Sequence, residues 1–168
     1  MNIDRLKEIG VDIAILLQDY HNGPKREMLI DPTLYAYLRA SGRSVERQYH
    51  ATLPGAKKPP RIDFRVKAPN AVLIEFAVRP PVGGGQLYGS QNQSELRKLC
   101  RFNNTAAKLR SLLLIDLFRD PINKRALKAT YDDVHAGQGK FTRFPVKVIY
   151  AHASGSFSFK WSPFKSNG

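Results

Sequence analysis

The sequence predicts a single α/β domain with a mixed β-sheet flanked by helices. Residues 61–67 and 71–79 alternate in hydrophobicity around a short Ala-Pro-Asn turn, which is typical of a β-hairpin and predicts Ile62, Phe64 and Val66 on one face. A nearly continuous apolar run at 111–118 is typical of a strand buried on both faces. Helical spacing of apolar residues separates the hairpin from that run. Antiparallel strands that lead through a helix into a buried strand indicate a mixed sheet.

Two helices and a strand are predicted before the hairpin. Residues 3–20 place apolar side chains at helical spacing, and Asn-Gly-Pro at 22–24 ends that helix. Asp31 followed by Pro32 predicts the start of a second helix, with Asp31 as its N-cap. Residues 45–53 predict the first strand. The Pro- and Gly-containing segment at 54–60 predicts the loop that follows it.

A glycine-rich loop and a basic helix are predicted after the hairpin. The loop at 80–90 contains three consecutive glycines, and we expect it to be a mobile loop beside a binding site. Ser94 predicts the cap of a helix whose inner side extends to Leu109. The remaining predicted elements are a helix at 120–136 and strands at 146–152 and 156–161.

The length of 168 residues suits one domain that buries its own core. We expect a core at about 31–118, an N-terminal helix within 1–24, and a C-terminal helix and strands within 119–168. The single cysteine, Cys100, excludes a disulfide framework, and the four histidines lack the spacing of a zinc site.

The charge of the chain points to an anionic partner. Twenty-seven Lys and Arg residues against 14 Asp and Glu leave a net charge of +13, spread along the chain rather than collected in a tail. Such an excess favours nucleic acid, which binds cations through its phosphates. A basic protein without a polymer partner, or one that docks on an acidic protein, is the alternative. The acidic start of the chain and the lack of a long apolar run predict a cytoplasmic protein without a membrane span.

The register of the hairpin brings two acidic residues together. If the strands turn symmetrically about Pro69, Asp63 lies directly opposite Glu75. Two carboxylates at that separation repel each other unless a cation lies between them. A divalent metal such as Mg²⁺ is one such cation, since it binds one or two carboxylates together with waters and phosphate oxygens. Cross-strand arginines are the alternative, namely Arg61, Arg65 and Arg79.

These residues resemble the signature of the PD-(D/E)XK nucleases. Arg-Ile-Asp-Phe at 61–64 is followed by Ile-Glu-Phe-Ala-Val at 74–78, with eleven residues between Asp63 and Glu75. The strand at 45–49 and the basic helix after the hairpin fall where that family places its equivalents. The resemblance covers about residues 31–118. It implies a restriction-endonuclease-like α-β-β-β-α-β core with additions at both ends of the chain.

The resemblance also implies a metal site. In that family the two acidic residues hold one or two Mg²⁺ (or Mn²⁺) ions and the following carbonyl often adds a ligand, so Asp63, Glu75 and the Phe76 carbonyl are the implied metal ligands. The lysine that the family places two residues after the glutamate is Ala77 here. Two other cations are implied as its replacements, namely Arg61 on the hairpin and Lys98 on the next helix.

The implied activity is Mg²⁺-dependent endonuclease action on DNA, in preference to RNA. The implied nucleic-acid contacts are Arg61, Arg65, Arg79, Arg97, Lys98 and Arg101. An inactive nucleic-acid-binding protein with the same fold and a basic protein-interaction module are the alternatives. Trp161 and the Phe-rich end of the chain favour core packing over base stacking. The dimers that are common in the family leave a homodimer open.

Overall fold

One six-stranded sheet with helices on both faces organises the chain. The computed structural model describes residues 1–18, 26–50, 61–67, 71–82, 86–102, 107–135 and 143–162. The helices are α1 (Ile3–Gln18), α2 (Arg26–Ala40), α3 (Gln93–Arg101) and α4 (Lys124–Asp132). The strands are β1 (Val45–His50), β2 (Arg61–Val66), β3 (Ala71–Arg79), β4 (Ala107–Asp116), β5 (Val146–His152) and β6 (Gly155–Trp161).

The sheet is mixed, which confirms the predicted α/β class. Its strands lie in sequence order from β1 to β6. The pairs β1–β2, β2–β3 and β5–β6 are antiparallel, whereas β3–β4 and β4–β5 are parallel. Parallel neighbours need a crossover connection, and α3 and α4 lie in those two connections. The order from α2 to β4 is the predicted α-β-β-β-α-β order.

Each face of the sheet has its own apolar core. The first core lies under α1 and α2 and includes Ile9, Leu34 and Ile74. The second core lies under α3 and α4 and includes Leu73, Leu99 and Trp161. Phe159 is also buried there and Phe157 packs against it, so the predicted core role of these aromatic residues is confirmed; Phe164 lies outside the described residues.

Helix α1 approaches the sheet closely at Gly10. A Cβ at this position would lie 2.6 Å from the Cβ of Ala151 and 3.2 Å from the Leu113 side chain. Only glycine therefore permits the observed distance between α1 and β5. Among the described helices, none is long and apolar enough to cross a membrane.

The predicted start of α2 at Asp31-Pro32 is wrong, because the helix begins at Arg26 and contains Pro32. Ile30, Leu34 and Leu38 are all buried in the first core. Their spacing places them on one helical face, so burial of that face extends the helix upstream of the proline. Asp31 forms an ion pair with Arg47 of β1.

The predicted extension of the basic helix to Leu109 is also wrong. Helix α3 ends at Arg101, and β4 begins at Ala107. The backbone of β4 pairs with β3 from Ala107 to Asp116, and pairing along a central strand outweighs the local helical spacing. The N-cap position belongs to Asn92, not Ser94.

Two further boundaries differ from the prediction. Helix α4 is shorter than predicted, because the Asn123 side chain accepts the N–H groups of Arg125 and Ala126 and so begins the helix there. Strand β1 ends at His50. The predicted loop at 54–60, the turn at 68–70 and the glycines at 83–85 lie outside the described residues.

The carboxyl ends of the parallel strands are joined by a buried ion pair. Asp116 of β4 is fully buried and accepts two hydrogen bonds from Arg79 of β3, from Nε at 2.6 Å and from an Nη atom at 2.5 Å. The Tyr150 hydroxyl of β5 and the Phe118 N–H also donate to this carboxylate. Arg79 lies over the Phe118 ring as well. All partners of Asp116 are therefore supplied within the protein.

We expect Asp116→Asn to destabilise the protein by about 3 kcal/mol, because it leaves the Arg79 charge without its buried counter-ion. The control is Asp120→Asn, which removes an exposed carboxylate and leaves its backbone acceptor for Arg79 in place; we expect a change within about 0.5 kcal/mol. Urea denaturation measures both. Equal losses in the two variants would show that the buried pair does not hold the strand ends together.

Candidate active site

The predicted hairpin register is confirmed. Phe64 pairs with Ile74 and Val66 with Val72, as expected for a turn centred on Pro69. The regular pairing stops at Phe64 and Ile74, so Asp63 and Glu75 lie one position beyond the regular ladder. On the other side of β2, Arg47 pairs with Phe64 and Tyr49 with Ile62.

Strands β1 and β2 change faces at Gln48 and Asp63. Phe64 and Val66 pack in the first core, whereas Ile62 is buried in the second and Tyr49 packs against it. The predicted placement of Ile62, Phe64 and Val66 on one face is therefore wrong. In β1 the alternation is interrupted at Gln48, whose φ of 49° is left-handed, and the change of faces in β2 lies between the partners of its two neighbours, Phe64 and Ile62.

This break aims the Asp63 carboxylate at β3. Its Oδ2 atom accepts the Phe76 N–H at 3.2 Å, and its Oδ1 atom lies 3.4 Å from the Gln48 side-chain nitrogen. The Asp63 side chain thus takes a hydrogen bond that a regular ladder would give to a backbone carbonyl. Because the N–H and C=O of one strand residue face the same neighbour, the Phe76 carbonyl is directed to the same side.

Glu75 completes a pair of carboxyl groups at the wall of a cavity. Glu75 is 1% exposed, and its carboxyl group lies beside that of Asp63, which also lines the cavity. The cavity has a volume of about 320 Å³. It is lined by Asp63, Glu75, Phe76, Ala77, Gln91, Asn92, Glu95 and Lys98.

Lys98 of α3 supplies the positive charge beside this pair. Its Nζ atom lies 2.7 Å from Oε1 of Glu75 and 2.6 Å from Oε2 of Glu95. Oε1 of Glu75 is buried and receives no hydrogen bond besides this ion-pair contact. One ammonium therefore faces two carboxylates, and the Glu75 oxygen retains capacity for another positive partner.

The electrostatics of the pair follow from burial. Burial raises the pKa of Glu75 to about 10, and the charge and hydrogen bond of Asp63 act in the same direction, while Lys98 opposes them. Burial opposes the charge of Lys98, but Glu75 and Glu95 outweigh it and raise the pKa of this ammonium. The buried Glu75 carboxyl group, with the partly exposed Asp63 beside it, thus favours an added positive charge, whether a proton or a metal ion.

The hairpin arginines contact other partners. Arg65 lies over the Tyr49 ring, with a guanidinium nitrogen 3.4 Å from a Glu46 oxygen, and Arg79 binds Asp116. Arg61 is exposed and lies opposite His50 of β1. Among the ion pairs of the described residues, the one that reaches Glu75 comes from Lys98.

The remaining predicted contacts lie on α3. Arg97 is partly exposed and its Nε–H donates to the His135 carbonyl at 3.0 Å. Arg101 is also partly exposed and lies three residues beyond Lys98 on the same helix. The structure thus brings Asp63, Glu75, Phe76 and Lys98 together, and it separates them from Arg79.

Gln48 and Glu95 belong to the site but were not predicted. Glu95 precedes Lys98 by three residues, a spacing at which side chains of one helix meet, so the sequence carried this signal. The left-handed conformation of Gln48 has no such signal, because glutamine is not enriched in that region.

The residues fit a hard divalent cation. The described part of the chain contains no group of three or more His, Cys, Asp or Glu residues that could hold a metal. Two carboxyl groups and a directed carbonyl are instead the donor set that Mg²⁺ uses when waters and substrate phosphates fill its other positions. The observation that favours this fit is the buried Oε1 atom of Glu75, which contacts the ammonium that it shares with Glu95.

Comparisons with known proteins found one distant structural likeness. No family model and no curated protein matches the chain. The structure is similar to that of SfsA from Pyrococcus furiosus in complex with Ca²⁺, with 12% sequence identity and a TM-score of 0.34. The match covers 80% of this chain and 63% of SfsA, so the chain spans less than two thirds of that protein.

We expect Gln48→Gly to be at least as stable as the parent protein, and Gln48→Val to lose about 1–3 kcal/mol. Glycine adopts a left-handed backbone freely, whereas a β-branched residue is strained there. In an ordinary strand the order is reversed, since valine is favoured over glycine. Urea denaturation gives the order, and a more stable valine variant would contradict the left-handed conformation at Gln48.

The raised pKa of Glu75 predicts that, in the absence of metal, the free energy of unfolding depends on pH. The folded protein keeps the Glu75 proton up to about pH 10, whereas the unfolded chain releases it above the ordinary value of 4.5. The unfolded state therefore binds fewer protons between these values, and stability falls as the pH rises, by at most ~1.4 kcal/mol per pH unit.

We expect Glu75→Gln to reduce this fall, because the amide has no proton to release. Urea denaturation in EDTA at about pH 5.5 and about pH 8.5 measures it. Glu95→Gln is the matched control, since it removes the partly exposed carboxylate on the other side of Lys98. A Glu75→Gln variant with the full parental slope would show that Glu75 does not hold the proton.

Proposed function

We propose that this protein is a metal-dependent nuclease that hydrolyses phosphodiester bonds in DNA. The observation that carries the proposal is the contact of two carboxyl groups, Asp63 and Glu75, in a cavity where an ammonium lies 2.7 Å from Glu75. A buried glutamate with a raised pKa, placed in a cavity beside a second carboxyl group and a cation, is typical of a catalytic site.

Asp63, Glu75 and the Phe76 carbonyl would hold Mg²⁺ or Mn²⁺. The bound ion would supply a nucleophilic hydroxide and offset the charge that develops on the phosphate. The protein orients these donors in two ways. Asp63 is anchored by the Phe76 N–H, and Glu75 by burial in the sheet.

Lys98 is the proposed replacement for the signature lysine, whose position is occupied by Ala77 in this chain. Its ammonium reaches Glu75 from α3, whereas Arg61 is exposed on the strand pair. A fixed cation there orients the attacking water and stabilises negative charge on the phosphate. Contact with Glu75 supports Lys98 over Arg61 in this role.

The charge of the protein supports a polyanionic substrate. A net charge of +13 attracts a nucleic-acid backbone through counterion release. Arg97, Lys98 and Arg101 lie on α3, the helix that borders the cavity, where phosphates would approach the acidic pair.

The second candidate function is nucleic-acid binding without catalysis. Two observations favour it. Ala77 stands in place of the lysine, and the Lys98 ammonium is already paired with the carboxyl groups of Glu75 and Glu95. Docking on an acidic protein is the third candidate, supported by charge alone. Salt-dependent DNA binding distinguishes the second candidate from the third.

We expect cleavage of plasmid or single-stranded DNA with Mg²⁺ or Mn²⁺ and none with EDTA. Asp63→Asn and Glu75→Gln should lower turnover at least about a thousandfold, because each removes a metal ligand. Both variants should keep their DNA affinity in a gel-shift assay.

Lys98→Met should lower turnover about a hundredfold, as loss of one stabilising group does. Arg61→Met is the matched control, and it should leave turnover unchanged.

Each result has a defined meaning. DNA that stays intact while it binds with strong salt dependence would replace the nuclease proposal with the binding protein. Cleavage that persists in Glu75→Gln would place the activity elsewhere or in a contaminant. Equal losses in Lys98→Met and Arg61→Met would remove the specific role of Lys98.

A further inference from the structure

Helix α3 carries a row of side chains from the cavity toward its own C-terminus. Glu95 and Lys98 of α3 line the cavity at a spacing of three residues, and Gln91 lines it just before the helix begins. Arg101 follows Lys98 by three residues and so continues the same side of the helix. The row changes from acidic at Glu95 to basic at Lys98 and Arg101.

A second segment brings Arg143 to the end of this row. The N–H of Phe144 donates to the Cys100 carbonyl at 2.9 Å, which joins the segment before β5 to the last turn of α3. Arg143 therefore lies beside Arg101. This residue belongs to the C-terminal addition, outside the predicted core.

A buried arginine fixes both parts of this arrangement. Arg110 of β4 is 3% exposed, and its Nη1 atom donates at 2.7 Å to the carbonyls of Leu99 and Phe102. Its guanidinium carbon lies 3.9 Å from the centre of the Phe144 ring. Arg110 thus holds the end of α3 and the Phe144 ring to β4, which keeps the backbones of Arg101 and Arg143 near each other.

The side chains of Arg97, Arg101 and Arg143 form a cluster of like charge. Arg97 and Arg101 are four residues apart, a spacing that places side chains together on a helix. Burial lowers the pKa of Arg101, and the charges of Arg97 and Arg143 lower it further. Three cations gathered at the end of α3 attract a polyanion more strongly than a single cation does.

We propose that Arg97, Arg101 and Arg143 form a phosphate track that binds the backbone of a DNA strand as it leaves the cavity along α3. The inference rests on the proposed function for the identity of the anion. It adds a direction, since the strand runs from the acidic pair past Lys98 toward the segment before β5. It also assigns a binding role to Arg143, which lies outside the nuclease-like core.

The test compares Arg101→Gln and Arg143→Gln with Arg39→Gln. Arg39 is an exposed arginine on α2, the helix that packs on the opposite face of the sheet, so its loss changes the net charge equally. Fluorescence anisotropy with a short labelled DNA strand, at several salt concentrations, gives the slope of log affinity against log salt. Each track variant should lower the slope by about 0.7 and the affinity at low salt about tenfold. Arg39→Gln should change neither.

Two further measurements separate this proposal from the nuclease proposal. Mn²⁺ titration by electron paramagnetic resonance should give the parental affinity in both track variants, because neither touches the carboxyl pair. Arg101→Lys should restore the salt slope, which excludes loss of folding as the cause. DNA binding that depends on Arg101 and Arg143 without any metal-dependent cleavage would support the track and overturn the nuclease. Track variants that behave like Arg39→Gln, in a protein that cleaves DNA, would overturn the track alone.

Discussion

The proximity of the Asp63 and Glu75 carboxyl groups is the interaction on which the arrangement of the surrounding residues depends. It exists because the hairpin register places these residues across from each other, one position beyond the regular ladder. The left-handed backbone of Gln48 and the hydrogen bond from the Phe76 N–H to Asp63 then hold the first carboxylate in place. A strained backbone beside buried acids is costly, and such costs are found where they serve a site.

Two buried acidic residues, Asp116 and Glu75, differ in how far the protein compensates them with hydrogen-bond donors and cations. Asp116 receives hydrogen bonds from Arg79, Tyr150 and the Phe118 N–H, so its charge is compensated within the fold. Glu75 is buried to a similar degree but faces another carboxyl group, and it shares Lys98 with Glu95. The first arrangement fixes the strand ends. The second leaves a site that gains free energy when a cation enters.

The position of the cation beside Glu75 distinguishes this site from the signature that it resembles. A lysine at position 77 would project from the same strand as Glu75, whereas Lys98 approaches from a helix that packs over the sheet. The geometry of the site therefore depends on how α3 is held. Leu96 and Leu99 bury one side of α3, and Arg110 fixes its last turn to β4. A buried side chain on the neighbouring strand thus contributes to the placement of Lys98.

The sequence by itself determined the features that depend on local period and on neighbours within one hairpin. The strands β2 and β3, their register, and the placement of Asp63 across from Glu75 follow from a two-residue period and a short turn, whereas the change of faces at Asp63 does not. The α/β class follows from the order of such segments. Tertiary structure decided where neighbours distant in sequence compete with local preference. Burial of Ile30 extends α2 past Pro32, pairing with β3 turns Ala107 and Leu109 from helix into strand, and packing of α3 brings Lys98 to Glu75. These contacts are non-local, and their free energy exceeds the small differences in local propensity that a sequence displays.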